Sequence, residues 1–275
     1  MPGLSRQDFG TLLRGAPIAI RSDIAAREAP PGLLLMFRPG ARPDAAAVRQ
    51  AVETAERVAI SHGGEGPGGA AGGQALWLEL LIDGMTFDLS GMAPGAGYAA
   101  ADLRNRYEVS PDFGEAPGEG VCLLPGPHLA GGRATVPVVR AQAALGAELV
   151  RRLPGALAVS WTPARTLVGR EFYLSMVDAW LAGGPFPALG LCAFRQMLGG
   201  AIQSEGLAFF TGQELHFDNA QFPDPAAAVQ LGLRLVNELV GGGRIAQAVS
   251  LAGPDGARVT LRPSGNGRFL RVERG

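Results

Sequence analysis

The sequence predicts an α+β fold in which antiparallel or mixed sheets are covered by helices. Short apolar runs typical of strands are interspersed with segments of helical period, and several runs are joined by tight turns that indicate hairpins. Of the 275 residues, 47% are hydrophobic, so the chain can bury a large core. A strand, a helix and a hairpin occur in that order twice, at 32–90 and at 156–218. This order is compatible with two related β-α-β-β lobes, although the residues of the two copies match poorly.

The chain is predicted to start with an irregular arm, residues 1–31, followed by an N-terminal α+β lobe, residues 32–120. Gly32–Phe37 is an apolar run that ends at a turn, which is typical of a central strand. Asp44 then stands where the N-cap of a helix is expected, because apolar residues recur after it at helical spacing. The predicted inner face of that helix consists of Val48, Val52, Ala55 and Ala59.

Glycine and proline patterns divide the rest of this lobe. Residues 63–73 are mostly glycine and are predicted to form a flexible loop. The pair Asp83–Gly84 predicts a two-residue hairpin turn between strands at 76–82 and 85–89. Residues 91–120 are rich in glycine, proline and alanine, and we expect a long connection that is either functional or mobile.

Residues 121–275 are predicted to form a C-terminal α+β lobe. A helix begins after Thr135 and ends at Pro154, a buried strand follows at 156–161, and a second helix covers about 169–182. The remaining predicted elements are strands at 188–194, 205–210 and 214–218, a helix between Asp224 and Gly241, and a last hairpin at 257–262 and 269–273.

The charge pattern excludes several functions. The chain has 24 lysine and arginine residues against 25 acidic ones, and all 24 are arginines. A Schiff-base lysine and a phosphate-binding P-loop lysine are therefore both impossible. The arginines form no basic stripe along the sequence, so we expect no nucleic-acid partner.

The apolar runs and the cysteines bear on the compartment. No apolar run approaches the roughly 20 residues that a membrane helix needs, and the first residues lack the apolar core of a signal peptide. We therefore expect no membrane contact and a cytoplasmic location. Cys122 and Cys192 leave two interpretations, one disulfide or two reduced core thiols, of which the second is favoured.

Two segments between His128 and Asn219 carry a resemblance to a known family. Gly155–Trp161 is a glycine-alanine strand that ends in tryptophan, and Ser204–Leu215 reads S-E-G-L-A-F-F-T-G-Q-E-L. Together they resemble the bacterial family called domain of unknown function 4261, whose later segment has the pattern T-x-G-L-x-x-F-G-x-x-E-hydrophobic. Serine replaces the threonine here, and Phe-Phe-Thr-Gly replaces Phe-Gly. The family has no assigned reaction, so the resemblance implies no catalytic residue.

The best polar constellation in the sequence is Glu214-Leu-His216-Phe-Asp218. Alternate residues of a strand share a face, so these three polar side chains are expected on one side, with Leu215 and Phe217 in the core. Such a set could bind a metal or exchange protons, but an ordinary solvated strand face has the same pattern. The chain's three histidines show no ligand spacing, so no metal site is predicted.

Further candidate binding residues follow predicted strands. Trp161 and Arg165 offer a flat apolar surface and a bidentate anion donor, and Arg195 could converge on the same edge of a sheet. The alternative is a packing tryptophan followed by surface arginines. His128 lies six residues after Cys122, a spacing that allows contact across a turn. Gly95–Ala100 imitates a dinucleotide-binding turn in the wrong context, so no cofactor is predicted.

These observations favour a non-enzymatic binding or protein-interaction module in a bacterial cytoplasm. We expect its partner to be a second copy of the chain or another protein, and the sequence does not identify a small-molecule ligand. The alternative is a hydrolase-like enzyme whose site is assembled from His128, Trp161, Arg165, Glu214 and His216. A third interpretation is a protein that neutralises a partner in bacterial conflict systems.

Overall fold

The computed structural model describes residues 27–66, 75–100, 102–113, 118–253, 256 and 258–275. The chain forms two compact units, one that ends at Pro185 and one that consists, in its described part, of Phe186–Gly275. Each unit combines a mixed sheet with helices, which confirms the α+β prediction. No helix in these ranges combines the length and apolarity needed to cross a bilayer. Most of the predicted arm, residues 1–26, lies outside the described residues.

Ten strands of the described chain form the sheet of the first unit, and β8 lies at its centre. The order along the sheet is β3-β4-β5-β8-β2-β9-β10-β7, and β6 pairs with both β1 and β8. Because β8 pairs with β5 and β2, the residues after 120 continue the first unit, and the chain divides at 185/186 rather than at the predicted 120/121. The strands are β1 (Arg27–Glu28), β2 (Leu33–Phe37), β3 (Val58–Gly66), β4 (Ala75–Ile82), β5 (Met85–Ser90), β6 (Tyr98–Ala99), β7 (Asn105–Tyr107), β8 (Glu119–Pro125), β9 (Ala158–Trp161) and β10 (Thr166–Gly169).

Three helices, α1 (Ala45–Glu53), α2 (Val136–Arg152) and α3 (Arg170–Leu181), pack on this sheet. The Asp44 carboxylate caps α1 as predicted, since it accepts a hydrogen bond from the Ala47 N–H at 2.8 Å. The helix ends at Glu53, so Ala55 and Ala59, assigned to its inner face from the sequence, lie beyond it.

The connection after β5 covers the opposite side of the sheet. Its residues Ala100 and Phe113 are buried against Leu34, Met36 and Cys122. The segment contains β6, β7 and a 3₁₀ turn at Pro111–Phe113, and it supplies part of the core. The prediction of a connection that is either functional or mobile therefore missed a structural role.

The β4–β5 hairpin has the predicted turn. Asp83 and Gly84 have φ values of 50° and 77°, as the favoured two-residue turn requires. Strand β3 continues to Gly66, so residues 63–66 of the predicted loop belong to a strand, and residues 67–74 lie outside the described residues. A bulge at Ser61 interrupts the pairing of β3 with β4.

The second unit contains a six-stranded sheet with the order β11-β12-β13-β16-β15-β14, in which only β13 and β16 are parallel. The predicted strand at 205–210 is wrong, because the chain turns into a helix at Gly206, whose φ is 99°. The prediction at 188–194 is also wrong in its first half, which is helical. The second predicted copy of the repeat, 156–218, straddles the boundary between the units. The elements are α4 (Ala188–Leu191), β11 (Ala193–Gln196), β12 (Ile202–Glu205), α5 (Leu207–Thr211), β13 (Glu214–Phe217), α6 (Pro225–Leu239), β14 (Val249–Ala252), β15 (Arg258–Pro263) and β16 (Phe269–Arg274).

Candidate functional site

A pair of carboxylates lies on the outward face of the β4–β5 hairpin. The turn pairs Ile82 with Met85, and the same register places Glu79 directly opposite Asp88. Their strand neighbours on the other face, such as Leu80, are fully buried. Glu79 and Asp88 are both half-buried, so the two acidic groups are held side by side where solvent reaches them in part.

The bulge in β3 directs two further polar side chains toward Glu79. The Ser61 hydroxyl donates to Glu79 Oε1 at 2.6 Å, and His62 Nδ1 lies 3.0 Å from the same oxygen. The inserted residue allows Ser61 and His62 to reach one carboxylate from adjacent positions of the edge strand. The His62 side chain is 76% exposed, whereas that of Glu79 is 18% exposed.

His128, one of the predicted binding residues, contacts the same group of side chains. It lies in a 3₁₀ segment, Pro127–Gly132, directly after β8. Its Nε2 is 3.4 Å from the Thr86 hydroxyl, which in turn donates to Glu79 Oε2 at 3.2 Å. Two of the three histidines of the chain thus flank one carboxylate pair. We call His62, Glu79, Thr86, Asp88 and His128 the carboxylate–histidine cluster.

The two carboxylates differ in their electrostatic surroundings. The hydrogen bond from Ser61 is the main cause that lowers the pKa of Glu79, and His62 and Thr86 act in the same direction. Burial raises the pKa of Asp88, and the neighbouring Glu79 charge raises it further against the opposing effect of His128. Asp88 Oδ1 is buried and has no hydrogen-bond partner among the described residues.

This arrangement suits the binding of a hydrogen-bond donor or the exchange of a proton. Glu79 is held as an acceptor whose oxygens are both hydrogen-bonded, while Asp88 has an acceptor atom without a donor. A donor with positive charge would satisfy Asp88 and reduce its repulsion with Glu79. In the described parts of the chain, no group of three or more His, Cys, Asp or Glu residues is placed to hold a metal ion.

Trp161 and Arg165, which were predicted as binding residues, both make contacts that stabilise the local fold. Trp161 is 2% exposed and lies in the core of the first unit. Arg165 has a φ of 52° in the turn between β9 and β10, and its guanidinium is 3.0 Å from the carboxylate of Asp102. Its carbonyl also accepts hydrogen bonds from the N–H groups of Arg104 and Asn105, so Arg165 holds the connection in place.

Glu214, predicted on a polar strand face, caps α5. Its carboxylate accepts hydrogen bonds from the N–H groups of Gly206, Leu207 and Ala208, at 2.8 to 3.2 Å, and from the Ser204 hydroxyl. Burial raises the pKa of Glu214, and these hydrogen bonds oppose the shift. These hydrogen bonds of the carboxylate serve the local fold, which explains the spacing of the Ser204–Leu215 segment.

His216 and Arg195 share a row across the outward face of the second sheet. Arg195 pairs with Gln203, Gln203 pairs with His216, and His216 lies beside Arg271. Leu215 and Phe217 are buried on the other face, as predicted, while Asp218 lies after the strand. The structure thus groups Arg195 with His216, and each unit holds a different part of the predicted site.

Part of the carboxylate–histidine cluster could have been found from the sequence. A two-residue turn at Asp83–Gly84 fixes the hairpin register, which puts Glu79 opposite Asp88 without further information. His62 could not have been found in this way, because its position depends on a bulge and on the length of the connection to β4. His128 was predicted as a binding residue, and its sequence spacing pointed to Cys122, whose thiol is buried in the core, rather than to Glu79.

Comparisons of the chain with protein-family models, curated proteins and solved structures give no match. The resemblance to the domain of unknown function 4261 family therefore stays a prediction.

Proposed function

We propose that this protein is a binding module that captures a basic side chain of a partner protein at the carboxylate–histidine cluster. The observation that carries the proposal is Asp88 Oδ1, which is buried without a donor among the described residues, on the residue that lies directly opposite Glu79. An unsatisfied buried acceptor costs about 1–3 kcal/mol. A guanidinium or ammonium group would supply the missing donor together with a compensating charge.

The neighbours of Glu79 on β4 suit the stem of a long basic side chain. Trp77 and Leu81 lie two residues before and after Glu79, on the same face of the strand, and both are half-buried. Lysine and arginine pack their methylene stems on such apolar surfaces while the charged end reaches polar groups. The surface around Glu79 therefore offers apolar side chains for the stem of a basic residue and carboxylates for its charged end.

The partner in this proposal is a second copy of the chain or another protein, in a bacterial cytoplasm. Cys122 and Cys192 are both free and buried, which fits a reducing compartment. The net charge of −1 and the paired carboxylates do not favour a polyanion, so we propose no nucleic-acid partner.

The experiment uses the histidine ring protons as reporters in an NMR titration. The probe is Nα-acetyl-arginine amide, and the control is the citrulline analogue, which has the same shape without the charge. We expect shifts at His62 and His128 with the arginine probe, and none at His216, which lies in the other unit. These shifts should disappear in Glu79→Gln and Asp88→Asn. Equal shifts with the citrulline analogue, or no shift at either cluster histidine, would refute the proposal.

A second candidate function, a hydrolase-like enzyme, is supported by the opposite pKa shifts of Glu79 and Asp88. Carboxylates whose pKa values are driven apart are typical of acid and base pairs in catalysis. The site would then use Asp88 as proton donor and Glu79 as base, in place of the predicted Glu214. Hydrolysis of a panel of p-nitrophenyl esters and glycosides, lost in Asp88→Asn, would favour this function over simple binding.

A further inference from the structure

Among the described residues, no strand pairs with the outer side of β3, the edge of the first sheet next to the carboxylate–histidine cluster. Strand β3 is nine residues long and pairs, within the described ranges, with β4 alone. Its outer backbone N–H and C=O groups therefore have no strand partner within the described ranges. An edge strand of this length that carries few charges is a template for strand addition.

A groove of about 320 Å³ lies between this edge and α1. Val52 of α1 and Val58 and Ile60 of β3 contribute apolar side chains to it, and Arg49 and Glu53 contribute charges. Grooves between an edge strand and a helix accept alternate side chains of an added strand, while the backbone supplies the hydrogen bonds.

Arg49 is positioned to recognise an acidic group in this groove. It is exposed and forms no hydrogen bond or ion pair with any described residue. Its guanidinium rests on Gly63, where an added Cβ would lie 2.6 Å from Arg49 Nη2. A Cβ at the next residue, Gly64, would meet no atom within 4 Å. At Gly63 and Gly64 the edge strand therefore carries no side chains of its own.

One side of an added strand would meet Arg49 and Glu53 in the α1 groove, and the other would meet the Glu79 carboxylate. Side chains of a strand alternate between faces, so half of them would point to α1 and Arg49 and half to the side of His62 and Glu79. Glu79 would be two strand spacings, about 10 Å, from the added backbone. An arginine side chain and the glutamate together can cover this distance. On the α1 face Arg49 thus favours an acidic residue at the position next to it, with apolar residues along the rest of the groove, and Glu79 favours basic residues on the other face.

We propose that an extended segment of a partner protein adds to the edge of β3, with acidic and apolar residues facing α1 and arginines facing the carboxylate–histidine cluster. This inference rests on the proposed function for its arginine positions, and on the β3 edge and the α1 groove for the rest. The class of ligand that we assign to the β3 edge and the α1 groove is therefore an extended peptide segment.

The test is a fluorescence anisotropy titration of the full chain with a labelled nine-residue peptide in which arginine alternates with leucine and aspartate. A second peptide of the same sequence is N-methylated at alternate residues, which removes strand hydrogen bonds and keeps the side chains. We expect the N-methylated peptide to bind at least about tenfold more weakly, a difference of about 1.4 kcal/mol. Equal binding of the two peptides would overturn strand addition.

Variants separate this inference from the proposed function. Arg49→Ala should weaken the binding of the aspartate-containing peptide about fivefold. It should leave the binding of a peptide with leucine in place of aspartate unchanged. Arg234→Ala on α6 serves as the matched control. If each peptide binds to Arg49→Ala as tightly as it binds to the unmodified chain, the role of Arg49 is refuted. If a citrulline-substituted peptide binds as tightly as the arginine peptide, the proposed function fails while sensitivity to N-methylation still supports strand addition.

Discussion

Glu79 and Asp88 lie opposite each other on adjacent strands, yet their pKa values are shifted in opposite directions. Hydrogen bonds from Ser61, His62 and Thr86 lower the pKa of Glu79, whereas burial and the neighbouring Glu79 charge raise that of Asp88, whose Oδ1 has no donor among the described residues. The fold therefore supplies hydrogen bonds to both oxygens of Glu79, and within the described residues it supplies none to Asp88 Oδ1.

Asp88→Asn should stabilise the free protein at neutral pH. Because folding raises the pKa of Asp88, the folded state loses stability as the pH rises from the unfolded pKa through the folded one. The variant removes this loss, and we expect a gain of about 0.5–1 kcal/mol in the free energy of unfolding at pH 7, after allowance for solvent screening. Urea denaturation at pH 7 and near pH 3 measures it, and the gain should vanish at the lower pH.

Asp83→Asn is the matched control for this prediction, since asparagine tolerates the positive φ of the turn. It removes an exposed ion pair with Arg57, so its effect should be at most about 0.5 kcal/mol and destabilising. If Asp88→Asn is no more stable than the unmodified chain at pH 7, the raised pKa assigned to Asp88 is contradicted.

Glu214→Ala should destabilise the second unit by about 2–4 kcal/mol. Three N–H groups at the start of α5 and the Ser204 hydroxyl would lose their acceptor. Far-UV circular dichroism is the suitable probe, because Trp77, Trp161 and Trp180 all lie in the first unit and their fluorescence reports on that unit alone. Glu273→Gln, which removes an exposed ion pair with Arg262, should cost less than about 1 kcal/mol.

Gly146→Ala should destabilise the first unit by about 1–3 kcal/mol, because the added methyl group overpacks the core. A Cβ at this position of α2 would lie 2.7 Å from the Tyr173 hydroxyl and 3.1 Å from a methyl group of Leu33. Tryptophan fluorescence during urea unfolding measures the loss. Gly131→Ala is the control, since a Cβ there meets nothing within 4 Å, and equal effects of the two substitutions would argue against the close approach.

Both cysteines should resist thiol reagents in the folded protein. Burial raises the pKa of Cys122 to about 12, and burial also raises the pKa of Cys192 well above its usual value. We expect no rapid reaction with dithionitrobenzoate before unfolding and two reactive thiols afterwards. A fast-reacting thiol in the native state would place one cysteine outside the core, and none after unfolding would indicate a disulfide.

The sequence was informative wherever a local signal fixes the geometry. Asp44 and Asp224 cap the helices that follow them, and the Asp83–Gly84 turn sets the hairpin register. Both carboxylates of the candidate site follow from that register. Prediction failed where a residue outside the predicted element decides the structure. The segment 205–210 has apolar residues typical of a strand, but it becomes a helix because Glu214 supplies the cap.

The domain boundary was missed for a related reason. Strand β8 enters between β5 and β2, so the order of strands in space differs from their order along the chain. No pattern within β8 itself shows which neighbours it takes. The grouping of His62 with His128 depends on this insertion as well, since β3, which carries His62, and β8, which precedes the 3₁₀ segment of His128, are separated by β4 and β5.

The last strand of the second unit, β16, lies between β13 and β15 and pairs in parallel with β13, so that Phe269 is next to Glu214. A ribosome making this chain must therefore translate as far as β16 before β13 can obtain its second neighbour. Until then the nascent β13 exposes a bare edge, and this interval is when aggregation or chaperone capture would compete with folding.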